Sequence, residues 1–174
     1  MYSFYRLGTL LLERILARPF PERFRRPDSL SPVDLWMHAA SVGEAQVAGA
    51  ILRALKAKSP EISIFLTLQT PTGLRRAQSL LGDLSGVRVE LAPWDGPRTV
   101  ADFLRRLRPK VLALIETELW PNLLKEAYAR GTRVLILNGR ISEKAFPRYR
   151  MLKPLWAPLL REVSFIGTIS PEDR

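Results

Sequence analysis

Two short stretches constrain this chain more than any others: Val111-Leu-Ala-Leu-Ile115 and Val134-Leu-Ile-Leu137. Both are apolar without a break. A strand with one wet face would show a polar residue at every second position; a continuous apolar run belongs to a strand covered on both faces, as in a parallel sheet. Parallel neighbours cannot be joined by a tight hairpin, so each needs a crossover, usually a helix. The chain supplies the required alternation. Expected strands lie at about 33–39, 62–68, 87–91, 110–115, 133–137 and 163–168, and expected helices at about 43–58, 72–81, 97–107, 119–130 and 145–161. That order predicts an α/β domain with a doubly wound parallel sheet. A chain of 174 residues is long enough for one such core.

Before the first strand, residues 2–17 carry helical periodicity. At 100° per residue, Phe4, Tyr5, Leu7, Leu11, Leu12, Ile15 and Leu16 share one broad face, with Ser3, Arg6, Thr9, Glu13 and Arg14 opposite. Pro19 and Pro21 end the pattern, and Arg18, Arg23, Arg25 and Arg26 cluster around them. An apolar face beside arginines suits a helix lying in an anionic membrane interface. The plainer expectation is a helix packed on the domain with solvated arginines. Residues 1–26 are set apart as an amphipathic, membrane-associated segment, 27–32 as a linker, and 33–174 as the sheet domain. No uninterrupted apolar run reaches the roughly 18 residues of a spanning helix. The N-terminus lacks the charged start, apolar run and small-residue cleavage site of a signal peptide.

In an open parallel sheet, ligands sit at the carboxyl ends of the strands. Those ends read Ser41-Val-Gly-Glu44, Gln69-Thr-Pro-Thr-Gly73, Pro93-Trp-Asp-Gly-Pro97, Glu116-Thr-Glu-Leu-Trp-Pro-Asn122 and Asn138-Gly-Arg140. Together they would line one rim. Each also has a structural explanation. Ser41-x-x-Glu44 is a capping box, in which Glu44 would return a bond to the Ser41 amide. Glu116 ends an apolar strand, where an unpaired carboxylate is costly, so Arg140 or a nearby amide is its expected partner. Glu118 suits a first helical turn, Thr70 and Thr72 suit helix caps, and His38 suits a hydrogen-bonded core position. Arg75, Arg76, Arg105, Arg106 and Arg108 read as solvated helix faces.

Composition narrows the chemistry. The chain has no cysteine and one histidine, which excludes disulfides and thiolate metal sites and leaves no basis for a histidine metal cluster. No metal or cofactor is expected. Lys and Arg outnumber Asp and Glu by 27 to 17, a formal charge of +10. That balance points to nucleic acid, an anionic membrane surface or a phosphorylated substrate. The basic residues are dispersed and lack the interleaved aromatics of a stacking platform, so nucleic acid is not expected. Neither GxGxxG nor a Walker A motif is present. Helix N-termini after the first, second and fourth strands can still hold a phosphate through backbone amides. A non-catalytic, membrane-associated, anion-binding module remains the alternative to an enzyme.

The segments HAASVGE, QTPTG, PWDGP, IETELWPN and NGRIS, in this order and spacing, closely resemble the 3-deoxy-D-manno-octulosonic acid (Kdo) transferase family. The resemblance covers essentially the whole chain; ETELWPN and SVGE together are its most specific part. Gly139 and Trp94 depart from it, standing where alanine and an aromatic such as tyrosine are expected. The resemblance implies the N-terminal half of a GT-B fold, Rossmann-like, whose C-terminal partner domain would bind the donor CMP-Kdo. It implies an inverting, metal-independent and cofactor-free transfer of Kdo to the lipid A precursor, lipid IVA, in lipopolysaccharide synthesis at the cytoplasmic face of the inner membrane. Glu44 would be the general base and Glu116 a second acceptor-side carboxylate. Ser41, Gly43, Thr70, Thr72, Asn138 and Arg140 would contact the acceptor. The donor half is absent from residues 1–174, so this chain alone is not expected to turn over.

Overall fold

The structure, a computed structural model, describes residues 1–24 and 30–170. Arg25, Arg26, part of the expected linker and residues 171–174 lie outside the described residues. In chain order the elements are α1 (Tyr2–Leu16), α2 (Pro21–Phe24), β1 (Leu35–Ala39), α3 (Val42–Lys58), β2 (Ile64–Leu68), α4 (Pro71–Leu81), β3 (Val87–Leu91), α5 (Pro97–Leu107), β4 (Val111–Ile115), α6 (Pro121–Ala129), β5 (Arg133–Gly139), α7 (Phe146–Met151), α8 (Lys153–Leu160) and β6 (Phe165–Thr168). The strands form one sheet in the order β3-β2-β1-β4-β5-β6, and every pairing is parallel. This is the Rossmann-like doubly wound order, in which the direction of winding reverses between β1 and β4.

The strand side chains divide between two layers. Trp36, Phe65, Leu112, Leu114, Val134 and Ile136 face α5, α6 and α8. Met37, Ala39, Leu66, Leu68, Ala113 and Ile115 face α3 and α4. All five residues of β1 and all five of β2 are buried, which is why neither could carry a polar alternation. Burial of that extent on both faces is the main source of stability, at roughly 25 cal/mol per Å2 of apolar surface.

Two expectations need correction. The helix expected over 145–161 is two helices, α7 and α8, meeting at Leu152. Pro154 sits in the first turn of α8, where its missing N–H costs nothing, but it cannot continue α7. The second concerns α1. It packs against the domain through its polar side: Thr9 and Glu13 are its buried residues. Its apolar side faces outward, with Phe4 82% and Ile15 66% exposed and Leu7, Leu11 and Leu12 exposed as well. The helix is therefore packed on the domain by its polar side while it presents an apolar ridge outward.

Polar bonds hold α1 in that orientation. Glu13 Oε1 accepts from the Thr99 amide at 2.8 Å and from the Thr99 hydroxyl, and so caps α5, whose own N-cap, Gly96, has no side chain to do it. Asp95 accepts from the Asn122 and Leu123 amides at 3.1 and 2.8 Å and caps α6. Tyr5 donates to the same carboxylate at 2.9 Å. Asn122 donates to Thr9 at 2.9 Å, and Tyr2 donates to Asn122. Asp95, expected at the rim, is instead buried beneath it.

Candidate functional site

The switch point between β1 and β4 places two chain segments face to face at the carboxyl end of the sheet: 40–44, entering α3, and 116–120, entering α6. At the first, Ser41 is extended (φ −106°, ψ 177°) and caps α3 by accepting from the Glu44 amide at 3.2 Å. Its hydroxyl donates back to Glu44 Oε1 at 2.9 Å. Glu44 Oε2 takes the Ala40 amide at 2.7 Å, one residue earlier than the Ser41 amide expected from the sequence. The extended Ser41 leaves Ala40's N–H facing the carboxylate. Glu44 is 7% exposed, yet each oxygen uses only one lone pair on the protein.

Across the switch point, Glu116 directly follows β4 with φ +59°, a left-handed conformation uncommon for glutamate. Its amide bonds Leu137 O at 2.9 Å, and its Oε2 lies 3.7 Å from Arg140 Nε. Burial raises its pKa, and the neighbouring Glu44 charge raises it further, while Arg140 pulls it back. Glu44 and Glu116 are therefore brought together as expected. Arg140 is exposed, and Thr117 bonds its carbonyl. Asn138 also has φ +59°, which asparagine tolerates better than most residues.

The remaining rim residues differ in how free they are. Ser41 and Gly43 are exposed. Thr70 caps α4 through the Gly73 amide at 3.1 Å and donates to Ala40 O at 3.1 Å, so it ties β2's exit to β1's. Thr72 is exposed and donates to Thr70 at 3.3 Å. Glu118 was expected in a helical turn; it precedes α6 instead, and its carboxylate accepts from the Trp120 indole at 3.1 Å. His38, buried at the end of β1, sits with Nδ1 3.0 Å from the Thr67 hydroxyl and Nε2 3.8 Å from Glu118. Sequence reasoning placed His38 and Glu118 separately and missed their juxtaposition. Among the described residues no three His, Asp or Glu side chains converge closely enough to hold a metal ion.

A groove of about 630 Å3 lies between α1 and α5, lined by Tyr2, Arg6, Leu7, Leu10 and Arg98 among others. No helix among the described residues is long and apolar enough to cross a membrane.

Residues 18–174 match the family described as "3-Deoxy-D-manno-octulosonic-acid transferase (kdotransferase)". The chain belongs to the Kdo transferase family. A 3-deoxy-D-manno-octulosonic acid transferase of Haemophilus influenzae is 35% identical over 136 residues, which is 78% of this chain and 31% of that protein. A bifunctional glycosyltransferase/methyltransferase of Fusobacterium nucleatum is 32% identical over 140 residues, 80% of this chain and 22% of that protein. A transferase of Bordetella pertussis is 33% identical over 129 residues, covering 70% and 30%. The chain thus spans between a fifth and a third of the length of these curated relatives. What it shares with the other Kdo transferases is the N-terminal domain of a glycosyltransferase.

Proposed function

We propose that this chain is the acceptor-binding half of an inverting, metal-independent enzyme that transfers Kdo from CMP-Kdo to lipid IVA at the cytoplasmic face of the inner membrane. The observation that carries this reading is the fixed Glu44 carboxylate at the switch point, with Glu116 beside it. Glu44 takes the proton of the acceptor hydroxyl as that oxygen bonds to the anomeric carbon of Kdo. The bond to CMP breaks on the opposite face, and CMP leaves with the electron pair. The two hydrogen bonds on Glu44 keep its free lone pairs in one place, and reach precedes basicity for a general base. Glu116 orients the acceptor. Ser41, Gly43, Thr72 and Arg140 are exposed for acceptor contact. Thr70 and Asn138 contribute chiefly by shaping the strand exits.

The lipid part of the acceptor has separate support. Because α1 caps α5 and bonds the cap of α6, its apolar ridge lies at the same end of the sheet as the carboxylates. Arg6 and Arg98 line the adjoining groove. An apolar ridge flanked by arginines suits an interfacial helix on anionic lipid. The donor would be held by a second domain, as in a GT-B enzyme.

Transfer is measured with this chain, a donor-binding half supplied in trans, CMP-Kdo and lipid IVA. Turnover is expected for the wild type, with a loss of about 10²–10⁴-fold for Glu44→Gln. Full activity in a folded Glu44→Gln variant removes Glu44 as the base. Lipid IVA binding without transfer by any combination favours a membrane-associated anion-binding module.

A further inference from the structure

His38 has a polar atom for which the fold offers no use. It is 2% exposed, and its Nε2 has no hydrogen-bond partner among the described residues. Its other nitrogen is committed. Thr67 Oγ1 lies 3.0 Å from Nδ1 and also accepts from the Trp36 indole at 2.9 Å. The indole can only donate, so it occupies one lone pair of Thr67. The Thr67 proton then has two destinations, His38 Nδ1 at 3.0 Å and Met37 O at 3.4 Å. The shorter choice for the hydroxyl is Nδ1. Given to Nδ1, that proton makes Nδ1 the acceptor and leaves the proton of a neutral imidazole on Nε2.

That N–H faces the Glu118 carboxylate at 3.8 Å. The distance is longer than a formed bond of about 2.9 Å but within ion-pair reach. The alternative tautomer would aim a bare lone pair at a carboxylate. Trp120 brackets the pair: its ring meets the imidazole edge-on at 6.0 Å, and its indole N–H bonds the same Glu118 oxygen at 3.1 Å. Glu118 is thereby held by Trp120 and faced by His38, while its side chain stays a quarter exposed at the rim. Burial works against its charge, and His38 together with the Trp120 N–H more than offsets that.

We propose that His38 is a positioning residue: with its proton on Nε2, it and Trp120 aim the Glu118 carboxylate across the rim as a third acceptor-side group, which accepts a sugar hydroxyl. The assignment of the hydroxyl to an acceptor sugar rests on the function proposed above; the pairing of His38 with Glu118 does not. No single local motif announces this arrangement, because Thr67, His38 and Glu118 lie on three different strands or their exits.

His38 is the only histidine in the chain, so its ring nitrogens are assigned in an NMR spectrum without ambiguity. The expected wild-type spectrum has the proton on Nε2, with its signal shifted and exchanging faster in Glu118→Ala. Glu118 is partly exposed, and this variant is expected to fold. Binding of the bisphosphorylated glucosamine disaccharide, the polar head of the proposed acceptor, is measured in parallel. Glu118→Ala and His38→Leu should each weaken it about tenfold, with the double variant no worse than either. His38→Gln, which restores an N–H near the Nε2 position, should recover part of the loss. A wild-type proton on Nδ1, or unchanged affinity in both single variants, overturns the proposal. A disaccharide that does not bind the wild type, with the Nε2 proton in place and responsive to Glu118→Ala, upholds the pair and counts against the functional reading instead.

Discussion

Glu116 carries two costs at one position. Its left-handed backbone is worth roughly 1–2 kcal/mol of strain for an L-residue with a Cβ, and its carboxylate is partly desolvated beside another one. Neither cost is recovered by a close ion pair, since Arg140 stays at 3.7 Å and is itself exposed. Strain of this kind is retained at sites that act on ligands. Replacement therefore separates the two costs. Glu116→Gly should be more stable than Glu116→Ala by about 1 kcal/mol, the reverse of the usual ranking of these residues, because only glycine relieves the backbone. Chemical denaturation of the two variants measures the difference, and an alanine variant equal to the glycine one would show that Glu116 is not strained. At this scale the sequence was legible over short distances. Ser41 and Glu44 lie three residues apart, so the Ser41 cap was readable, though the return bond from Glu44 goes to the Ala40 amide. His38 and Glu118 lie eighty residues apart, and their meeting depends on β1 pairing with β4.

Among the elements, strands were easier to read than the attachments between helices. The apolar runs at 111–115 and 134–137 are strands because continuous apolarity has few alternatives. The orientation of α1 was not readable, because its buried side is chosen by partners on other elements: Thr99, Asp95 and Asn122. Asp95 shows the consequence. Burial pushes its carboxyl up to about 7, with the Asn122 and Leu123 amides and the Tyr5 hydroxyl pulling the other way. A carboxyl raised in the folded state binds a proton on folding. Its stabilising effect is complete below about pH 4 and is lost as pH rises through 7. Asp34, Asp83 and Asp102 are held low and slope in the opposite sense, so the comparison must be with a variant. The stability of the wild type relative to Asp95→Asn should fall between pH 4 and pH 7. Urea midpoints at several pH values measure it; a difference that stays level across that range rules out an elevated Asp95.

For the whole molecule, the sheet order gathers Glu44, Glu116 and Glu118 at one edge, while the polar docking of α1 brings an apolar ridge to the same end. The fold class and the likeness to Kdo transferases were open to inspection in the sequence, since both rest on local patterns in order. The inward turn of the polar side of α1 was not. It changes what removing the N-terminus would do. Trimming an apolar leader is a common way to make a lipid-facing protein easier to handle. Here Glu13 is the cap of α5, and Tyr5 bonds the carboxylate that caps α6. Deleting residues 1–20 should lower the unfolding free energy by about 2 kcal/mol, near 1 for each disturbed helix start. Circular dichroism during denaturation would reveal the loss, and an unchanged midpoint would mean that α1 is a removable attachment. The segment that would be discarded to gain solubility is thus one that the sheet domain uses to finish its own helices.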